Sequence, residues 1–307
     1  MTLLFPLPYV FAYLCNKSGP DAPHIISQAS YAQNALRYPY DYKLFHPNIH
    51  CETCQFPKLA RSKHCSRCDA CVARADHHCI WINNCLGRGN YKFFLALLLT
   101  TALLLVYTVQ LAYLTLMPQM RDHFVRYPAQ HAKPNFQLFG NQLGNSKGWW
   151  RASQPLEWVS SALDSFNTAL IVGGVTRSGI GLLAFITTPL PAGLLAYHVY
   201  LVWTGMTTNE NYKWSEWCAD IAEGLTYTAP VVGNDESGRL YVPQQWPKRS
   251  RQILVRTDDG KQPYGLPPDI RAIVGEHAEW RRCKSFKELD NTYDLGPWRN
   301  LMNVLFD

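Results

Sequence analysis

Residues 50–90 read HCETCQFPKLARSKHCSRCDACVARADHHCIWINNCLGRGN, and this stretch decides how the rest of the chain is organised. It holds seven of the ten cysteines, Cys51, Cys54, Cys65, Cys68, Cys71, Cys79 and Cys85, with His64, His77 and His78 among them. The C-x-x-C spacing of Cys51/Cys54, Cys65/Cys68 and Cys68/Cys71 lets two thiolates bind one tetrahedral zinc. Two closed zinc sites consume eight ligands, so ten candidates leave two spare. The spares are expected within Asp76-His77-His78-Cys79, where a thiol, two imidazoles and a carboxylate are contiguous. A thiol becomes a nucleophile when its pKa falls and a base stands in hydrogen-bond reach, and a carboxylate can orient that base. In an extended segment His77 and Cys79 share one face, yet the count alone leaves open which histidine is spare.

The bland alternative makes every ligand structural, as in a RING-like or PHD-like module with interleaved zincs and no chemistry. A disulfide framework fits less well, because dense C-x-x-C pairs interspersed with histidine read as metal sites. The motifs themselves are more specific. Cys51-x2-Cys54, Lys58 to Arg61, His64-Cys65-x2-Cys68-x2-Cys71, Asp76-His77-His78-Cys79, Trp81, Asn84-Cys85, Gly87, Asn90-Tyr91 and Phe94 resemble the cysteine-rich domain of the DHHC protein S-acyltransferases, or palmitoyltransferases. Leu59 stands where that pattern has the proline of its KPxR element, and Ile80 where a proline follows the reactive cysteine. Neither change removes a ligand or a reactive group.

Carried over by position, the resemblance implies one structural Zn2+ on Cys51, Cys54, His64 and Cys71 and a second on Cys65, Cys68, His78 and Cys85. His77 and Cys79 are then the spare pair: Cys79 the acyl-carrying nucleophile, His77 its base, Asp76 the group that polarises His77. The implied reaction moves a long-chain acyl group from acyl-CoA, the co-substrate, through Cys79 to a protein cysteine. Arg61, Lys63, Arg67, Arg74, Arg88 and Lys92 are available to CoA phosphates.

Two long uncharged apolar runs mark an integral membrane protein, and the mean hydropathy of −0.18 reflects large polar parts between them. The formal charge of +6 is uneven: residues 17–92 carry ten Lys/Arg against five Asp/Glu, a basic segment expected to face anionic lipid from the cytosol. Reduced thiols and zinc fit the same side. The expected fold class is an α-helical transmembrane bundle with a cytosolic zinc-bound domain of short β-hairpins and loops. Residues 1–15 form a partial N-terminal transmembrane segment interrupted by Pro6 and Pro8, and 16–49 a cytosolic linker. The zinc domain covers 50–92 and a transmembrane helix 93–116. Residues 117–178 form a lumenal loop, with Trp149, Trp150 and Trp158 at the interface, and 179–205 a second full span that Pro189 and Pro191 kink or break. Within it His198 reads as packed or hydrogen-bonded rather than catalytic, although an ionisable group in a span is a functional candidate by default.

The cytosolic tail covers 206–307 and carries two further motifs. Thr207-Thr208-Asn209-Glu210 resembles the family's TTxE element: Thr207 or Thr208 is expected near Asp76 and Glu210 beside a basic group, with helix capping as the plainer reading. Asn291 to Asn300 resembles the C-terminal NPYDxGxxxN element, with Thr292 in the proline position and Tyr293 and Asn300 as structural supports. A hairpin is expected at Gln252 to Val255, ahead of Asp258-Asp259-Gly260. The approach to Cys51, Trp81 to Cys85 and Thr207 to Asn211 look most like the fungal branch named for spore wall formation. That resemblance implies residence in the endoplasmic reticulum membrane, with the Golgi second. It also implies as partners the bilayer and membrane proteins with juxtamembrane cysteines such as SNAREs, and no nucleic acid. Two alternatives are a non-catalytic zinc-dependent adaptor, on the expectation that a first span is missing before Met1, and a RING-like ubiquitin ligase.

Overall fold

The computed structural model describes residues 4–17, 22, 24–127, 155–232, 246–275 and 277–306. The chain forms two compact units, Pro6–Leu97 with Leu194–Asp307, and Met1–Phe5 with Leu98–Gly193. The first unit begins with α1 (Leu7–Asn16), ten residues started by a proline that needs no N–H in the first turn. α2 (Gln28–Ala35) follows, opened by a capping box between Ser27 and Ser30.

The cysteine-rich stretch folds as short antiparallel pairs. β1 (Ile25–Ile26), β5 (Ala70–Val72) and β4 (Lys63–Cys65) make one sheet, with β5 in the middle. β2 (His50–Cys51) pairs with β3 (Phe56–Pro57), and β6 (His77–Cys79) with β7 (Asn84–Leu86). Each of the three local hairpins turns through a non-glycine residue in the left-handed region: Gln55 (φ 58°), Asp69 (φ 48°) and Asn83 (φ 47°). Asn and Asp tolerate that region best, which fits their positions. The strands are too short to hold by ladder bonds alone. The core beneath them is correspondingly small, built on Ile26, Cys51, Leu59, Cys71 and Ala73 on one side and Val72, Ala75 and Cys85 on the other.

α3 (Tyr91–Arg126) leaves this domain directly, and α4 (Pro155–Thr187) and α5 (Pro189–Trp203) return. Tyr91–Arg126 and Ala162–Trp203 are long and apolar enough to cross a membrane. At 36 residues α3 is about 54 Å long, well beyond a hydrocarbon core of about 30 Å. The second apolar helix breaks at two points. Gly174 takes φ 75°, ψ 159°, which glycine adopts without a side-chain penalty, and the Ser178 hydroxyl donates to the Ala169 carbonyl freed there, at 2.7 Å. Thr188 separates α4 from α5 just ahead of Pro189, whose ring cannot continue a helix without losing a backbone bond. Inside the second unit Gly173 lies against Leu116 and Gly181 against Ala112. A methyl group at either glycine would collide, so small residues set how closely α3 and α4 pack. Trp149 and Trp150 lie outside the described residues, as does the side chain of Trp158.

Past α5 the chain turns into α6 (Thr208–Ala222) and then a sheet in the order β10-β8-β9: β8 (Thr226–Pro230), β9 (Gln252–Arg256) and β10 (Arg281–Arg282). The strand expected at Gln252 is present, but among the described residues its partner is β8, upstream, rather than a strand following it in a local hairpin, with Tyr227 opposite Val255. α7 (Pro268–Val274) covers this sheet, and Tyr42, Ala229, Ile253, Ile273 and Val274 pack between them. α8 (Pro297–Phe306) ends the chain. A core of Tyr38, Phe45, Ala60, Trp214, Trp246 and Tyr293 joins linker, zinc-ligand domain and tail.

Candidate active centre and metal clusters

Cys51, Cys54, His64 and Cys71 gather in one group, and Cys65, Cys68, His78 and Cys85 in another. His64 Nδ1 lies 3.5 Å from both Cys51 Sγ and Cys54 Sγ and 4.0 Å from Cys71 Sγ. His78 Nδ1 lies 3.6, 3.4 and 3.7 Å from the sulfurs of Cys65, Cys68 and Cys85, and Cys68 Sγ and Cys85 Sγ are 3.6 Å apart. Zinc–sulfur bonds of about 2.3 Å and zinc–nitrogen bonds of about 2.0 Å at tetrahedral angles require ligand separations of about 3.5–3.8 Å. Both groups come within about 0.2 Å of that requirement, and each could hold zinc through three thiolates and an imidazole. The β-pairings explain the gathering. His64 faces Cys71 across β4/β5, and His78 faces Cys85 across β6/β7, so each hairpin delivers one imidazole and one thiol to the same place.

The residues left over meet one strand position away. Asp76 is buried, and its carboxylate accepts from the Thr208 amide (2.8 Å) and hydroxyl (2.9 Å) and lies 2.7 Å from His77 Nδ1. Burial opposes the charged form of Asp76, but the hydrogen bond and positive charge of His77 outweigh it and hold the carboxyl below the usual carboxylate range. Burial likewise opposes protonation of His77, yet Asp76 and Cys79 together push its pKa up to about 9. For Cys79, burial works against ionisation and is overcome by a hydrogen bond with His77 and by the amides of Ile82 and Trp81, so the thiol falls below its ordinary range. The three groups therefore favour a thiolate beside an imidazolium beside a carboxylate. Cys79 itself is 5% exposed, whereas Ile80 and Trp81 next to it are 63% and 89% exposed. A cavity of about 440 Å³ opens onto His77 and Asp76, with Lys63, Arg67, Thr208 and Tyr212 in its wall.

The tail residues divide their tasks. Thr207 caps α6 in a reciprocal box with Glu210, while Thr208 alone holds Asp76. The Glu210 carboxylate receives Arg61 Nε and Nη2, both at 2.6 Å. Arg61 is 1% exposed, donates also to the Gly205 carbonyl, and lies over the rings of Tyr293 (4.5 Å) and Tyr38 (5.1 Å). This removes Arg61 from the cations open to a CoA phosphate, because its guanidinium is enclosed on every side. Arg74 is also buried, while Lys63 and Arg67 line the cavity beside His77. Asn300 ties the tail down, donating to the Trp203 carbonyl (3.1 Å) and the Asp294 carboxylate (2.8 Å) and accepting from the Leu295 amide (2.9 Å). The Tyr293 hydroxyl donates to the Pro39 carbonyl at 2.8 Å.

His198, expected to be packed or hydrogen-bonded, is both: it is buried and its Nδ1 lies 2.9 Å from the Tyr91 hydroxyl, to which the sequence attaches no role. A ring nitrogen of His198, one of His77 and an oxygen of Asp76 lie within 4.8 Å of one another. Cys15 was also passed over. Its carbonyl accepts from Asn84 and Asn90, which fastens α1 beneath the β6/β7 hairpin. An ionisable residue in an apolar helix was the available signal for His198; no local pattern pointed to Cys15.

The DHHC palmitoyltransferase family model matches residues 45–215. Palmitoyltransferase SWF1 of Neurospora crassa is 39% identical over 99% of this chain and 66% of its own length. The palmitoyltransferases swf1 of Emericella nidulans and Aspergillus fumigatus are each 37% identical, over 98% and 97% of the chain and 70% and 75% of their own lengths. The chain thus spans about two thirds to three quarters of the length of these relatives.

Proposed function

Because this chain belongs to the DHHC palmitoyltransferase family, we propose that it is a membrane-bound protein S-acyltransferase in which Cys79 carries the acyl group. The family match and the named relatives support protein S-palmitoyltransferase activity. The observation that carries the assignment to Cys79 is the unbroken chain of contacts from Thr208 through Asp76 and His77 to the thiol.

In the first step Cys79 Sγ attacks the thioester carbon of a long-chain acyl-CoA, forming the acyl-enzyme and breaking the bond to CoA sulfur. His77 holds the proton taken from Cys79 and passes it to the departing CoA thiolate. In the second step His77 takes the proton of an incoming protein cysteine, whose sulfur attacks the acyl-enzyme, and returns it to Cys79. Asp76 keeps the His77 imidazole oriented and stabilises its charged form throughout. Lys63 and Arg67, in the cavity wall beside His77, are placed to meet CoA phosphates. Each ligand group supplies four protein atoms, so two zinc ions here would serve as frame, with no open position for substrate.

The substrates we propose are cysteines close to transmembrane segments, SNARE proteins among them, with the active centre facing the cytosol at the endoplasmic reticulum membrane. The basic excess of residues 17–92 and the direct passage from the cysteine-rich domain into an apolar helix support that orientation. The test is labelling of the chain in membranes with a radioactive long-chain acyl-CoA, beside Cys79→Ser. A hydroxylamine-sensitive label that depends on Cys79 is expected. Absence of label with both zinc equivalents still bound would sink the proposal in favour of a non-catalytic adaptor.

A further inference from the structure

His198 lies in an apolar helix, is 1% exposed, and is too elaborately contacted for a mere filler. Its Nδ1 is 2.9 Å from the Tyr91 hydroxyl, the first residue of α3. A phenol hydroxyl can donate to a bare ring nitrogen or accept from a protonated one, so the pair is bonded in either tautomer. The ring then lies face to face with His77, centroids 5.8 Å apart and planes 29° from parallel. Phe94 meets both rings edge-on, at 5.7 Å from His77 and 5.1 Å from His198. His77 is therefore gripped twice: Asp76 holds Nδ1, and the stacked ring with the Phe94 edge limits rotation of the imidazole plane. The Cys79 thiol is hydrogen-bonded to the same imidazole.

We propose that His198, anchored by Tyr91, is a positioning residue for His77, setting the plane in which the imidazole reaches Asp76 and Cys79 at once. This rests on the reading of Cys79 as the acyl-carrying nucleophile. Two helices are thereby joined at the base: Tyr91 opens α3, and His198 lies on α5 nine residues before the TTxE element that holds Asp76. An aliphatic residue at 198 could fill the space, but it would leave the Tyr91 hydroxyl without its His198 partner and His77 free to turn.

The test uses the full chain in membranes, with zinc content measured for every variant, and follows the rate of acyl-enzyme formation against acyl-CoA concentration. His198→Ala should slow the maximal rate roughly ten- to hundredfold, as expected for a misplaced base, with the half-saturating acyl-CoA concentration unchanged. His198→Phe, which keeps a stacking ring, should recover most of that loss, and Tyr91→Phe should show a smaller loss in the same direction. In a His77→Ala background, His198→Ala should add nothing, because a positioning residue has nothing left to position. A His198→Ala rate equal to wild type overturns the proposal. So does a further loss in the His77→Ala background, or a His198→Phe variant no better than His198→Ala. If the wild-type chain forms no thioester, the S-acylation reading fails separately, and the rate at which iodoacetamide alkylates the Cys79 peptide judges His198 instead: slowing by His198→Ala supports it, no change refutes it.

Discussion

Arg61 holds its charge out of water on the strength of one carboxylate, one carbonyl and two aromatic faces, so the residue opposite it is where a single change should cost most. Glu210→Gln keeps an acceptor for the α6 cap but leaves the guanidinium buried and unpaired. Removing one partner of a buried pair typically costs about 3–5 kcal/mol, and a thermal-unfolding midpoint within a degree of wild type would contradict this. The two threonines beside it should separate cleanly. Thr207→Val removes a helix cap, a loss of about 1 kcal/mol in stability with acyl-enzyme formation per folded molecule little changed. Thr208→Val removes one of the three donors on the buried Asp76 carboxylate, at about 1.5–3 kcal/mol for a bond to a charged group, and should slow acyl-enzyme formation about tenfold or more. Rates measured on both purified variants decide it; equal losses would mean that both act through the fold. The need for a cation beside Glu210 was legible in the motif. That the cation is Arg61 was not, because the pair is separated by 149 residues and no local pattern encodes it.

At the scale of elements the cysteine-rich domain was the most legible part, because C-x-x-C spacing is local chemistry: a candidate ligand pair three residues apart and a two-residue period decide which atoms converge. β8 and β9 were harder, since their pairing joins strands 21 residues apart in sequence through a ladder backed by packing over Ile253 rather than through a tight turn. The same contrast predicts where metal removal acts. Hairpins of two or three residues a strand have too little core to persist alone, so chelation should unfold residues 50–90 and abolish acyl-enzyme formation. Limited proteolysis is the measurement, with new cuts expected inside the cysteine-rich stretch and none inside the two apolar helices. Uniform resistance after loss of both zinc equivalents would show that the hairpins stand without metal. Within the same element, Asp69→Gly should be nearly neutral at φ 48°, whereas Asp69→Val should cost about 1–2 kcal/mol and release zinc at lower chelator concentration.

At the scale of the whole molecule, three stretches far apart in sequence converge on the reactive group: Asp76 to Cys79, Thr207 to Glu210, and, one layer out, Asn291 to Asn300. The last stretch touches none of Asp76, His77 or Cys79. Its bonds run instead to the end of α5 and the turn beyond, Asn300 to the Trp203 carbonyl and Asn291 to the Thr204 carbonyl, while Tyr293 supports Arg61 from below. These contacts hold the turn that delivers Thr208, so the tail should act on the amount of folded enzyme more than on the chemistry of each molecule. Asn300→Ala removes three hydrogen bonds, two of them to a backbone group, at about 0.5–1.5 kcal/mol each. Its apparent unfolding temperature should fall and its labelled yield with it. The rate of Cys79 alkylation per folded molecule should stay at the wild-type value, in contrast to Thr208→Val. If the alkylation rate falls in proportion to the yield, the tail reaches the thiol directly and the layered arrangement does not hold.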